Sequence, residues 1–266
     1  MKKIARGVTA YELGKAPVTA IGHRFTAGEL STTLKERLPS ILLDEAGKAQ
    51  VREVLSGLAT TDFKADQIEA ALAVPPPLRN WQVGEAMAEA YLVDHRDCEF
   101  PWPSGRDLRN PNASPAGADL VGFQRDAAGA RFAFGEVKTS EEDRRPPQVV
   151  TGRHGLAKQL EDLRDAIPVK NHLVYQYLGI RAAGSSWKAT FRLAAARYLE
   201  NPADVSLFGV LVRDIDPDEE DLSQRTASLA KKCPTPTTIE VRAFYLPAKS
   251  IATLAAAALQ SGTVSS

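Results

Sequence analysis

Residues 117–139 read GADLVGFQRDAAGARFAFGEVKT and contain two apolar-rich runs on either side of a short turn. The runs 119–124 and 131–139 look like strands, and the DAAGA segment between them is typical of a tight turn, so the stretch predicts a β-hairpin. Side chains alternate between faces along a strand, so Glu136 and Lys138 share one face with two phenylalanines. Charged groups rarely share a face with core aromatics unless they serve each other or a ligand. The hairpin is therefore where we expect function.

The turn also brings Asp119 close to these charges. If the turn is centred near residue 128, antiparallel pairing places Asp119 opposite a residue between Glu136 and Lys138. Directly opposed side chains lie about 5 Å apart at Cβ. Two carboxylates at that separation can hold Mg²⁺, with water and phosphate completing the coordination; Mn²⁺ prefers the same hard oxygen ligands. Lys138 would position or help deprotonate a water whose pKa the metal lowers.

The rest of the chain alternates helical patterns with strand patterns, which indicates an α/β fold with helices around a mixed sheet. Helices are predicted at 31–43, 47–58, 64–73, 81–93, 155–166, 187–200 and 248–260. Further strands are predicted at 172–179, 207–213 and 238–246, with one or two more within 1–26. Residues 101–117 are rich in Pro, Gly, Asn and Ser and predict a loop.

Three consecutive prolines, Pro75-Pro76-Pro77, mark a stiff connector. They predict a boundary between an N-terminal mixed or helical subregion, 1–77, and a second region, 78–266.

The hairpin motifs resemble a known family. Residues 117–119, the turn and Glu136-Val137-Lys138 are similar to the core signature of the PD-(D/E)xK nuclease superfamily, which includes restriction and repair nucleases. The proline that often precedes the aspartate there is replaced here by Gly117-Ala118. The resemblance covers about a third of the chain. It implies a restriction-endonuclease-like α-β-β-β-α-β core, built from helix 81–93, the hairpin, helix 155–166 and strand 172–179, with a C-terminal α/β extension.

The same resemblance implies further site residues. Many members carry a glutamate on the helix before the hairpin; Glu85, which follows Gly84, is the first choice, and Glu89, one turn later on the same face, is the alternative. Many also carry a glutamine on the helix after the ExK strand, and Gln159 occupies that place. The implied catalytic set is Asp119, Glu136, Lys138, Glu85 and Gln159, with Asp119, Glu136 and Glu85 as the metal ligands.

A narrower resemblance implies a biological setting. The segments GEAMAEAYL, FPW, GADLVGF and FGEVKTS are similar to the nuclease-like subunit of Hachiman-type antiphage defence systems, which works with a partner helicase. A role in antiviral defence, together with a helicase or another DNA-binding subunit, follows as an expectation.

The overall charge favours such a partner. The chain has 33 basic and 33 acidic residues, whereas proteins that grip nucleic acid alone usually show a basic excess. Local phosphate contacts are expected from the loop after the ExK strand, through Arg144, Arg145, Arg153 and Lys158. The competing interpretation of that loop is a solvated segment with salt bridges.

Cysteine content and hydropathy limit the remaining classes. Two distant cysteines, Cys98 and Cys233, support neither a disulfide framework nor a zinc site. No signal peptide and no run of ~20 apolar residues is visible, so we expect a cytoplasmic protein without membrane contact. The sequence thus predicts a Mg²⁺-dependent DNA endonuclease. The alternative is a catalytically silent nucleic-acid-binding or scaffold subunit that keeps the nuclease fold.

Overall fold

The computed structural model describes residues 2–58, 61–73, 78–103, 106 and 117–262. The strands are β1 Val8–Lys15, β2 Val18–Arg24, β3 Cys98–Glu99, β4 Leu120–Asp126, β5 Gly129–Ser140, β6 Val205–Arg213 and β7 Thr238–Tyr245. The α-helices are α1 Ala27–Thr32, α2 Pro39–Leu42, α3 Glu45–Leu55, α4 Asp62–Ala73, α5 Asn80–Arg96, α6 Gln148–Thr151, α7 Leu156–Asp165, α8 Ile167–Asn171, α9 Ile180–Ala182, α10 Lys188–Glu200, α11 Ser223–Ala230 and α12 Leu254–Gly262. Two segments, Thr33–Arg37 and His172–Gly179, are π-helices.

The seven strands form one mixed sheet in the order β1-β2-β7-β6-β5-β4-β3. The central pairs β2/β7, β7/β6 and β6/β5 are parallel, and the outer pairs β1/β2, β5/β4 and β4/β3 are antiparallel. β2, near the start of the chain, therefore lies against β7, near its end. The expected α/β class, a mixed sheet flanked by helices, is confirmed.

Each face of the sheet carries its own apolar core. On one face, α7 and α10 pack over Phe132 and Phe134 of β5. On the other face, α5 and α12 pack over Ala133 and Val137 of the same strand. β6 lies in the middle and is buried at every residue, which is why its sequence is an almost unbroken apolar run.

The predicted hairpin is confirmed, and its register lies within the expected range. Leu120 pairs with Gly135 and Asp126 with Gly129 at the turn. One step beyond the last pair, Asp119 comes opposite Glu136. Because Phe132 and Phe134 belong to the α7 face, strand alternation puts Glu136 and Lys138 on that face as well.

The strand predicted at 172–179 is wrong: these residues form the π-helix His172–Gly179. Leu173, Val174 and Leu178 are buried along it, and a short apolar run of this kind cannot be told from a strand by periodicity alone. The strand that follows the α7 region in the sheet is therefore β6, not 172–179.

Smaller differences concern two helix starts and the connectors. The first helix begins at Ala27 rather than residue 31, because Thr26 and Glu29 form a capping box there. Pro39 begins the separate helix α2, and α12 begins at Leu254 after a 3-10 turn at Ile251–Thr253. The proline connector and most of the predicted loop 101–117 lie outside the described residues. β1 and β2 of the N-terminal subregion contribute to the common sheet.

Candidate carboxylate site beside strand β5

The site forms where β4 leaves β5. Pairing with β4 begins at Leu120, opposite Gly135, whereas β5 continues along β6 to Ser140. In the next position Asp119 replaces strand pairing with a side-chain contact, because its Oδ2 accepts a hydrogen bond of 2.7 Å from the backbone N–H of Val137. The carboxylate of Asp119 is thereby fixed beside Glu136.

Glu136 is the most enclosed charged group of this cluster. Only 2% of it is exposed, and its Oε1 lies 2.6 Å from Nζ of Lys138. Burial and then the neighbouring charge of Asp119 raise the pKa of Glu136, and Lys138 lowers it; the net pKa is about 8. Burial also raises the pKa of Asp119, against the stabilising hydrogen bond from Val137. The positive charge of Lys138 therefore does not cancel the rise in pKa of these two carboxyl groups.

Glu85 of α5 adds a third carboxyl group. Its pKa is raised to about 9, first by burial and then by the charges of Asp119 and Glu136. α5 packs on the opposite face of the sheet from Glu136, so Glu85 approaches the pair at the edge where β4 has ended.

Gly84 explains how α5 comes so close. A Cβ at Gly84 would lie 2.4 Å from Oγ1 of Thr139 on β5, closer than real Cβ atoms approach other atoms. The absent side chain lets the helix rest directly on the strand at the turn that carries Glu85. Oγ1 of Thr139 is buried without a hydrogen-bond partner among the described residues. Sequence reasoning missed Thr139, since nothing in the ExKT order distinguishes a threonine whose hydroxyl is buried.

Glu89 occupies a different environment from Glu85. Burial raises its pKa to about 7, and its main charged neighbours are Arg37, Asp44 and Arg106. Arg106 forms a two-pronged ion pair with Asp44, at 2.7 and 2.6 Å. Of the two helix glutamates, Glu85 is the one that the structure brings to Asp119 and Glu136.

Gln159 lies on α7, above the strands that carry the site. A Cβ at Gly209, the residue of β6 that pairs with Glu136, would lie 2.7 Å from Leu160 Cδ1, so α7 rests closely on the sheet there. Within the described ranges, Oε1 of Gln159 is buried without a hydrogen-bond partner. An amide oxygen in this state can accept a hydrogen bond from water or from a ligand.

The basic loop after β5 is only partly accessible for phosphate binding. Arg145 pairs with Asp218 at 2.8 Å and donates to the backbone oxygen of Asp216, and Lys158 pairs with Asp162. These two predicted phosphate contacts are therefore engaged in salt bridges. Arg144, with 62% of its side chain exposed and Glu142 at 3.8 Å, and Arg153, which is exposed, present the more accessible charges.

The donor chemistry of the site fits a hard divalent cation. Asp119, Glu136 and Glu85 bring three carboxyl groups with raised pKa values to one ammonium group, and a bound cation would stabilise their ionised forms. Within the part of the chain that the structure describes, no three His, Cys, Asp or Glu side chains are arranged to hold an ion among themselves. In this arrangement Asp119 and Glu136 would be the direct ligands, leaving further positions for water and phosphate, and Glu85 would contribute charge from nearby.

Comparison with known proteins adds no family assignment. No protein-family model matches the chain, and no curated protein matches it. Among the described helices, none combines the length and the apolar character that crossing a bilayer requires.

Proposed function

We propose that this protein is a Mg²⁺-dependent nuclease of the PD-(D/E)xK type that hydrolyses DNA phosphodiester bonds. The observation that carries the proposal is the convergence of Asp119, Glu136 and Lys138 at the edge of β5, with Glu85 beside them. A restriction-endonuclease-like core is part of the proposal, supported by the order α5, β3, β4, β5, α7 and β6.

The chain's own residues have distinct roles in this proposal. Asp119 and Glu136 would hold the cation, which supplies positive charge to the scissile phosphate and acidifies water. Lys138, held by Glu136 at 2.6 Å, would turn its remaining N–H groups to the water or to a phosphate oxygen. Glu85 and Gln159 would orient that water through their oxygens, and the backbone N–H of Val137 keeps Asp119 in place.

The second candidate is a silent nucleic-acid-binding or scaffold subunit. It is favoured by the Glu136–Lys138 contact, because a buried ion pair of this kind can exist without a ligand. The enzyme would bind a metal ion at this site, whereas a scaffold would not. A silent nucleic-acid-binding subunit would bind DNA without cleaving it.

The decisive experiment is an assay of supercoiled plasmid and single-stranded circular DNA with Mg²⁺. Asp119→Ala, Glu136→Ala and Lys138→Ala should each abolish cleavage, and the triple variant should be little worse than any single one, since the groups act as a unit. Arg192→Ala, on the exposed surface of α10, is the matched control and should cut normally. Cleavage at the wild-type rate by any of the three site variants would refute the assignment.

We further propose that a second subunit, a helicase or another DNA-binding protein, delivers the substrate in antiviral defence or DNA processing. The net charge is zero, and two of the predicted phosphate contacts are already paired, so capture of DNA by this chain alone should be weak. The isolated protein should cut slowly at ~150 mM salt and faster at lower salt. Vigorous cleavage that does not respond to salt would remove the need for a delivery subunit.

A further inference from the structure

A cluster of stacked aromatic and guanidinium groups lies outside the carboxylate site. Cζ of Arg106 is 5.0 Å from the ring centre of Trp102, and Cζ of Arg181 is 5.3 Å from the same centre. Arg181 also lies 4.2 Å above the ring of Tyr177. These four residues, here called the Trp102 cluster, are all partly exposed.

The cluster is tied to the segment that enters the site. Tyr177 belongs to the π-helix His172–Gly179 and donates a hydrogen bond of 3.3 Å to the backbone oxygen of Trp102. The same π-helix reaches the start of the hairpin, because a Cβ at Gly117 would lie 3.3 Å from Cδ2 of Leu173. Gly117 is two residues from Asp119. One π-helix thus contacts both the Trp102 cluster and the approach to the carboxylates.

The chemistry of the cluster matches unpaired nucleobases. Proteins bind single strands by stacking bases on aromatic rings and on arginine planes. Arg106 is already paired with Asp44, so in this cluster it would act as a stacking plane rather than as a phosphate contact. A duplex hides its base faces within the stack and offers no such contact. The predicted loop at 144–158 has no Trp, Tyr or Phe, so its basic side chains would contact mainly phosphates.

We propose that the Trp102 cluster binds the unpaired bases of a single-stranded nucleic acid whose backbone continues to the carboxylate site. This inference rests on the proposed nuclease function for its second half, and it names a single strand as the substrate class. The π-helix would then fix the distance between the bound bases and the phosphate to be cut.

Binding can be measured separately from cleavage, in EDTA, with a fluorescently labelled oligonucleotide. We expect the full-length protein to bind single-stranded DNA or RNA more tightly than a blunt duplex of the same sequence. Trp102→Ala and Arg181→Ala should each weaken single-strand binding about tenfold, the scale of one lost stacking contact. Arg192→Ala should leave it unchanged. Comparison of the deoxy and ribo oligonucleotides identifies which sugar the site accepts.

A second measurement keeps the test decisive if Trp102→Ala fails to fold. Trp102→Phe keeps an aromatic face and should retain most of the affinity, and an oligonucleotide with 5-bromouracil should crosslink on irradiation to the wild-type peptide containing Trp102. Wild-type affinity in folded Trp102→Ala and Arg181→Ala, equal binding of the duplex, or crosslinks only at other peptides would each overturn the inference. If cleavage persists in these cases, the nuclease proposal still holds. Binding at the Trp102 cluster without any cleavage would support the inference and contradict the nuclease proposal.

Discussion

Replacing Gly84 with alanine tests how closely α5 must approach β5. The new Cβ would lie 2.4 Å from Oγ1 of Thr139, whereas ordinary contacts of this kind begin at 3.4 Å. Either the Thr139 side chain must rotate, or the helix or the strand must move by about 1 Å, the difference between the two distances. Glu85 is the next residue on the helix, so a displacement of the helix carries it away from Asp119 and Glu136.

Stability and activity should respond by different amounts. Overpacking of this kind costs ~1–3 kcal/mol, and the better helix propensity of alanine offsets ~1 kcal/mol of that loss. We therefore expect Gly84→Ala to lower the free energy of unfolding by at most ~2 kcal/mol. A misplacement of about 1 Å at a catalytic site can cost ~100-fold in rate, so cleavage should fall far more than stability does.

A double-mutant cycle gives the sharpest test. Thr139→Ala removes the clashing oxygen, and the next contact of the new Cβ is then Val212 Cγ2 at an ordinary 3.5 Å. Gly84→Ala/Thr139→Ala should recover both the melting temperature and the cleavage rate, while Thr139→Ala alone stays close to wild type. Denaturant unfolding and initial rates measure the cycle. A Gly84→Ala protein with wild-type rate and stability, or a double variant as poor as the single one, would refute the close-packing argument.

Three further predictions concern charge. Mg²⁺ or Mn²⁺ should stabilise the folded wild type by ~2.7 kcal/mol at one hundred times the dissociation constant and so raise its melting temperature. A stabilisation of equal size in Glu136→Gln would contradict binding at this site. In EDTA, the folded state keeps a proton on Glu136 up to about pH 8, while the unfolded state loses it near its ordinary 4.5. Stability should therefore fall as pH rises between those values, and Glu136→Gln should flatten the slope in urea titrations. Arg144→Ala and Arg153→Ala should weaken DNA binding and reduce its salt dependence. Lys158→Ala should have a smaller effect, because Lys158 is already paired with Asp162. An unchanged slope of binding affinity against salt concentration would exclude the loop from the DNA interface.

The hairpin could be predicted because its evidence is local. Strand alternation and one tight turn limit the register to a narrow range, and the observed pairing of Leu120 with Gly135 lies at one end of that range. The same local logic predicts that Glu136 and Lys138 share a face. It also yields strands β6 and β7, because β6 is rich in β-branched apolar residues and the first residues of β7 alternate between polar and apolar.

The errors and omissions arise where distant parts of the chain decide. The run HLVYQYLG has a strand-like composition. In the folded protein it forms a π-helix, which buries Leu173 and Leu178. Trp102 and Tyr177 come into contact only after folding, so no spacing in the sequence predicts their hydrogen bond. Likewise, Arg145 precedes β6 in the sequence and Asp218 follows it, so their ion pair forms only after folding.

The position of β2 determines the order in which the sheet can be completed. The β1–β2 hairpin leaves the ribosome well before β7. β7, the strand with which β2 pairs, begins only at Thr238. Until then the β2 edge has no native strand beside it, and exposed edges of this kind are where nascent chains aggregate. Closing so long a loop also favours slow assembly. A chain interrupted before Thr238 would lose not only its last strand but also the docking place of its first two.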